Sequence, residues 1–334
     1  MNLRKARRIV QFLALPVVYA GMFGPVMTHI VWPHIHCYAC PWSVGICPVG
    51  AMQNFIKSGR FPFYVVGWLG AYATVFGRAV CGWVCPFGLL NDLMAPAARL
   101  EARTVARRRF GALKTALTVF FGFFAASAAL MDMRLAVAVA IPALFSIWLI
   151  RRPELFKYLF LGVTVAFALA LSETVFCKAC AVASLEASLP YLGMDLAGRS
   201  SVAVDALSAP YLIHVGVLVV ALVGVLWARR FWCRYICPLG AILGLFNRFS
   251  GLGLRRDPEK CVKGCGLACL KSCPMGVEEL PKKEVIDSTD CIRCGDCVAA
   301  CPNDALRLSF FADRFRKGGD KDVRLDHSTE SDLS

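Results

Sequence analysis

Cys291, Cys294, Cys297 and Cys301-Pro302 form a Cys-x2-Cys-x2-Cys-x3-Cys-Pro run near the C-terminus. Three thiolates at that spacing can wrap one face of a [4Fe–4S] cube, and the fourth, set off by proline, is free to ligate a neighbouring cluster. Zinc ribbons pair two separated knuckles instead of packing four cysteines into one run. The spacing therefore points to one-electron chemistry. A second run precedes it, Cys261, Cys265, Cys269 and Cys273-Pro274, with three residues between each cysteine where two are usual. Its loop must be looser. By crossover, Cys261, Cys265 and Cys269 join Cys301 on one cluster, and Cys291, Cys294 and Cys297 join Cys273 on the other. Two [4Fe–4S] clusters are expected on these eight metal ligands.

Eight of the other nine cysteines follow a plan used twice. Each half of the preceding chain carries a Cys-x2-Cys pair, Cys37/Cys40 and then Cys177/Cys180, and a Cys-x3-Cys-Pro motif, Cys81/Cys85-Pro86 and then Cys233/Cys237-Pro238. Cysteines four apart share one face of a helical turn, and proline suits the first position of the following helix. The second thiolate then sits at a helix N-terminus, where partial positive charge favours an anion. Arg78, Arg230 and Arg234 add to that field. If the halves pack about a pseudo-twofold axis, Cys81, Cys85, Cys233 and Cys237 gather as four cofactor-binding thiolates, enough for a further cluster. Cys37, Cys40, Cys177 and Cys180 gather likewise. Two disulfides, one joint cluster and a dithiol relay all remain open for this outer group. Cys47 has no counterpart, because Ala187 takes the matching offset in the second half; it is a fifth ligand candidate or a buried thiol.

The elements that must hold these groups are apolar. Hydrophobic residues make up 57% of 334, and the mean hydropathy is +0.58, too high for an ordinary soluble domain. Stretches near 9–31, 61–77, 112–131, 135–150, 155–172 and 211–228 approach the length of a bilayer crossing. The expected fold is an all-α integral membrane domain over 1–250, of about six helices, with 112–150 inserted as a hairpin between the two halves. A small α+β module with two clusters follows at 257–306, and a disordered tail at 313–334. Arg4, Lys5, Arg7 and Arg8 precede the first stretch without a small-x-small cleavage site, which favours an uncleaved anchor. Placing the N-terminus inside puts 32 basic residues in the cytoplasm against 5 outside. Both termini are then cytoplasmic and the chain lies in a bacterial inner membrane. The +14 charge follows from that asymmetry and from contact with anionic lipid, with no nucleic acid required. Twelve cysteines fall on the reducing side, which argues against a disulfide scaffold.

Paired Cys-x3-Cys-Pro motifs beside a two-cluster module resemble the membrane polyferredoxins of the NapH, NosR and MauN type. The resemblance spans about residues 9–306 and rests on Cys81, Cys85, Pro86, Cys233, Cys237, Pro238 and the eight C-terminal cysteines. No segment is long enough for the flavin domain of NosR-like members, and NapH-like members lack the 112–150 insertion. CcoG-like members add a C-terminal domain missing here. The resemblance implies electron traffic between the quinone pool and an unidentified redox partner protein. Quinol oxidation needs groups that accept two protons, and His34, His36, His214 and Glu173 are the candidates. Two other roles are compatible: a maturation factor sending electrons outward to thiols or metal ions at His34-x-His36-Cys37, and a redox sensor. Stations on opposite faces of a hydrocarbon core about 30 Å thick are too far apart for one electron hop.

Overall fold

The computed structural model describes residues 3–22, 30–98, 114–115, 118–119, 155–198, 208–262 and 265–310. The inserted hairpin, apart from four of its residues, and the tail lie outside this set. Helix α1 covers Leu3–Val18 and leads into a 3₁₀ turn at Ala20–Met22. It is followed by α2 (Pro48–Lys57), α3 (Phe63–Phe76), α4 (Val80–Trp83) and α5 (Pro86–Ala98). The second half holds α6 (Phe156–Leu171), α7 (Val175–Lys178) and α8 (Ala181–Ala183), then a π turn at Ser184–Ser188 and α9 (Leu189–Leu196). It ends with α10 (Ala209–Trp227), α11 (Phe231–Tyr235) and α12 (Pro238–Phe246).

The apolar stretches are helical where described, but the membrane-domain expectation is overturned. No helix among the described residues is long and apolar enough to cross a membrane. The first stretch breaks after Val18, and α3 and α6 run for only 14 and 16 residues. Even α10, at 19 residues, rises about 28 Å against a hydrocarbon core of about 30 Å. Much of the apolar character serves the protein's own core. Val65, Leu69 and Ala73 of α3 pack with Phe156, Phe160, Val163 and Phe167 of α6 in one buried cluster. The helices also bury polar groups, Arg7 and Gln11 on α1 and Lys157 on α6, whose partners lie elsewhere in the chain.

The repeat is visible in the backbone. Val84 and Ile236 end α4 and α11 with nearly equal dihedrals, φ −121°, ψ −34° and φ −119°, ψ −41°. Cys85 N donates to Val80 O and Cys237 N to Trp232 O, at 3.0 and 2.9 Å. Each proline then opens the next helix, where its missing N–H leaves no bond unmade. Between α10 and α11 the packing is close: a Cβ on Gly224 would stand 2.6 Å from Phe231 Cγ. Gly224→Ala should therefore destabilise by about 1–3 kcal/mol from overpacking, outweighing its helix-propensity gain of about 1 kcal/mol. Thermal denaturation of the two chains measures the sign.

Past α12 the chain forms an antiparallel sheet of order β2-β1-β3 from β1 (Leu252–Arg256), β2 (Val285–Ile286) and β3 (Leu306–Phe310). Leu254 pairs with Ile286 on one side and Leu308 on the other. Two short helices, α13 (Ala268–Ser272) and α14 (Asp296–Ala300), pack together beside it. This unit is locked to the helices by polar contacts. Arg293 donates to Phe76 O and Asn247 O at 2.9 and 2.8 Å, and Trp83 Nε1 donates to Arg293 O at 2.9 Å. Asn247 Nδ2 in turn donates to Ser288 O and Cys291 O, both at 2.8 Å.

Candidate iron–sulfur relay

The two C-terminal motifs adopt matching local geometry despite their different spacing. Leu267 and Gly295 precede α13 and α14 with φ of 54° and 77°, a left-handed turn that glycine adopts freely. The wider first loop thus reaches the same entry into its helix. Cys273 and Cys301 follow the two helices with φ −71°, ψ 114° and φ −75°, ψ 116°. Their sulfurs accept from the N–H four residues on, Val277 at 3.5 Å and Ala305 at 3.3 Å. Cys273, Cys291, Cys294 and Cys297 line one small cavity with Met275 and Ile292. Cys269 stands within electrostatic reach of Cys265, Cys261 and Cys301. Both crossover sets are therefore assembled in space.

Cys81, Cys85, Cys233 and Cys237 also come together, each within electrostatic reach of others in the set. Arg230 Nη1 donates to Cys81 O at 2.7 Å, and Arg78 Nη2 donates to Cys233 O. Both guanidiniums are fully buried, so their charge acts on the thiols in a poorly screening medium. Burial pushes the Cys233 thiol up to about 11 even though Arg230 and Arg78 oppose the rise; burial likewise takes Cys291 to about 11. Free thiols here are protonated at neutral pH, and loading with iron must release their protons. Gly82 sits directly under the C-terminal unit. A Cβ on it would stand 2.7 Å from Ile292 O and 3.4 Å from Cys294 Cβ.

On the far side of these thiols lies a cavity of about 270 Å³. Cys37, Cys47, Cys177 and Cys180 line it, with His36 and His214. Cys40 does not line it and is buried instead near Glu186 and Tyr19. Glu186 organises this region. Its carboxylate accepts from Cys37 N at 2.7 Å and from Tyr19 Oη at 2.9 Å, and lies 2.9 Å from His36 Nδ1. Tyr19 is within electrostatic reach of both Cys40 and Cys85, so the two cysteine regions are close neighbours. Burial, reinforced by His36, lowers His34 to about 3, and it is neutral at physiological pH. His214 Nδ1 meets Ser188 Oγ at 2.8 Å. Glu173 pairs with Lys178 at 3.4 Å on the surface. Among the described residues no three or more His, Cys, Asp or Glu side chains converge tightly enough to hold a single metal ion; the cysteine sets gather around a volume, not a point.

Sequence reasoning passed over Glu186, Tyr19 and Gln53. Glu186 was detectable as the one charge within the otherwise apolar run from Ala179 to Met194. Gln53 Nε2 donates to Cys177 Sγ at 3.4 Å and its Oε1 accepts from Phe176 N at 3.2 Å. A buried glutamine in a short amphipathic helix gives no comparable signal.

Residues 45–65, 60–111 and 209–256 match the 4Fe-4S binding domain, and residues 253–302 match the 4Fe-4S dicluster domain. The chain is 28% identical over 271 residues to an uncharacterized protein of Methanocaldococcus jannaschii, covering 80% of each. It is 32% identical over 121 residues to the ferredoxin-type protein NapH of Haemophilus influenzae, 34% of this chain and 37% of that one. To the methylamine utilization ferredoxin-type protein MauN of Paracoccus denitrificans it is 37% identical over 81 residues, 24% of this chain and 28% of that one. No solved structure gives a significant match. With two assembled crossover sets, these 4Fe-4S domain matches and these relatives, the chain is similar to the polyferredoxins of the NapH/NosR/MauN type and has the character of an electron-transfer protein that binds [4Fe–4S] clusters.

Proposed function

We propose that this protein links the quinone pool at a bacterial cytoplasmic membrane to iron–sulfur carriers and a redox partner protein. One observation carries the reading: the cysteine sets succeed one another without a wide gap. The set of Cys261, Cys265, Cys269 and Cys301 is followed by Cys273, Cys291, Cys294 and Cys297, since Cys297 is within reach of Cys269. Gly82 then touches Cys294 from the set of Cys81, Cys85, Cys233 and Cys237. Tyr19 is within reach of both Cys85 and Cys40 and donates to Glu186, the partner of the cavity-lining His36. Such a file of stations suits directed one-electron transfer, and the large electron-hop distance expected between two membrane faces does not arise.

Membrane contact is supported by apolar side chains left on the surface. Leu13 and Val17 of α1, Phe63 and Trp68 of α3, and Leu212 and Val219 of α10 are all exposed. Patches of this kind mark protein or lipid contacts. His36, His214 and Glu186 beside the outer cysteines supply the acid–base groups that two quinol protons require.

The test uses anaerobically purified protein with dithionite-reduced clusters, mixed with a water-soluble quinone. Two electrons from two clusters and two protons from solvent convert each quinone to quinol. Reoxidation of the clusters, seen as return of visible absorbance and slowed by a quinone-site inhibitor, is expected. Clusters that stay reduced, or that reoxidise regardless of inhibitor, overturn the quinone link. His214→Ala should slow this exchange without changing iron content.

A further inference from the structure

We propose that the outer cavity holds a [4Fe–4S] cluster on Cys37, Cys47, Cys177 and Cys180, with Cys40 outside the ligand set. This deepens the electron-transfer reading by adding a terminal station where a disulfide pair or a dithiol was equally open.

The position of Cys47 is the central observation. Cys47 immediately precedes α2 and Cys180 immediately precedes α8, both in extended conformation, with φ −67°, ψ 126° and φ −99°, ψ 122°. The structural counterpart of Cys180 is therefore Cys47, through Pro48 and Ala181 at the helix starts. Cys237 stands in the same way before Pro238, with φ −59°, ψ 111°. The likeness extends to the sulfur. Cys47 accepts an N–H from Gly50, Cys180 from Ala183, Cys85 from Gly88 and Cys237 from Gly240. The outer cavity thus repeats, at two of its corners, the ligand geometry of the Cys81, Cys85, Cys233 and Cys237 set.

The remaining two corners agree. Cys177 lies within α7, a one-turn helix like those holding Cys81 and Cys233. Its sulfur takes a neutral donor from Gln53, which suits a thiolate whose charge is shared with iron. Cys37 and Cys47 are both within electrostatic reach of Cys177 and Cys180, so the four sulfurs address one volume. Cys40 accepts N–H groups from Trp42 and Ser43, but no helix follows it and it does not line the cavity. Cys37 and Cys40 are within electrostatic reach of each other and both lie near Glu186, but only Cys37 lines the cavity and no disulfide joins the two.

The decisive measurement is iron and acid-labile sulfide per chain, with EPR of the reduced protein, on Cys47→Ser and Cys40→Ser. Cys47→Ser should lose about four iron and four sulfide relative to the parent, while the other cluster signals persist. Cys40→Ser should keep the full complement. A full complement in Cys47→Ser, or a loss of about four iron in Cys40→Ser, overturns the assignment. If Cys47→Ser does not accumulate, the parent is denatured anaerobically in iodoacetamide and mapped by mass spectrometry. Alkylation of Cys37, Cys40, Cys47, Cys177 and Cys180 as free thiols is expected; a disulfide among them refutes the site. A full iron count with no quinone exchange would instead remove the quinone link and leave this cluster in place.

Discussion

Asp92→Ala is expected to destabilise the protein by about 3–5 kcal/mol, the cost of leaving a buried charge without its partner. Asp92 accepts from Arg230 Nε at 2.8 Å and from Gln11 Nε2 at 3.2 Å, pairs with Arg230 Nη2, and lies 3.4 Å from Arg7 Nη2. Removing it leaves buried Arg230 without a carboxylate and buried Arg7 with Asp296 alone. The effect should reach the clusters, because Arg230 also holds Cys81 O. Chemical denaturation followed by visible absorbance should show an earlier, iron-releasing transition. A variant within about 1 kcal/mol of the parent, the range of exposed ion pairs, would contradict a buried network. The pH dependence has a definite sign. Burial acts to raise the Asp92 carboxyl, but the two arginines prevail and hold it below the ordinary carboxylate range. Its contribution is therefore present above the unfolded value of about 3.9 and fades as pH falls through the folded one. Asp92→Asn should flatten that acid limb.

Cys273→Ser is the second large effect. Although Cys273 ends the first motif in sequence, it belongs in space with Cys291, Cys294 and Cys297. Its loss should remove about four iron atoms, and the lost EPR signal should match the one lost in Cys294→Ser, not in Cys265→Ser. Because Gly82 meets this set at Cys294, electron passage between the C-terminal unit and the Cys81, Cys85, Cys233 and Cys237 set should fall with it. Stopped-flow reduction that leaves the remaining stations filling at the parent rate would argue for a separate route.

The cysteine chemistry was largely legible in the sequence because ligand spacing is local. The two Cys-x3-Cys-Pro motifs read as helix starts at Pro86 and Pro238, and each is one. Hydropathy also located helices well: 61–77, 155–172 and 211–228 enclose or nearly match Phe63–Phe76, Phe156–Leu171 and Ala209–Trp227. It failed on what those helices face. An apolar run carries no record of whether it meets lipid or the protein's own core, and Leu69, buried in the core cluster, is the second case. What Glu186, Gln53 and Asn247 bind was invisible for a different reason. Their partners, Cys37, Cys177 and Cys291, lie 149, 124 and 44 residues away, and long-range polar contacts leave no periodicity. Cys47 was seen but left without a counterpart, because the repeat was aligned by counting residues; the backbone aligns it by helix starts.

Helix α1 lies far along the chain from the residues it contacts. Arg7 reaches Asp92 and Asp296, Gln11 donates to Gly82 O, and Tyr19, just past the helix, reaches Glu186. During synthesis this segment has no place to settle until almost the whole chain has emerged. Contacts of such sequence separation form slowly. Leu3 of α1 covers Gly295, in the loop that carries Cys294 and Cys297, so the seating of the helix and the cover over that loop go together.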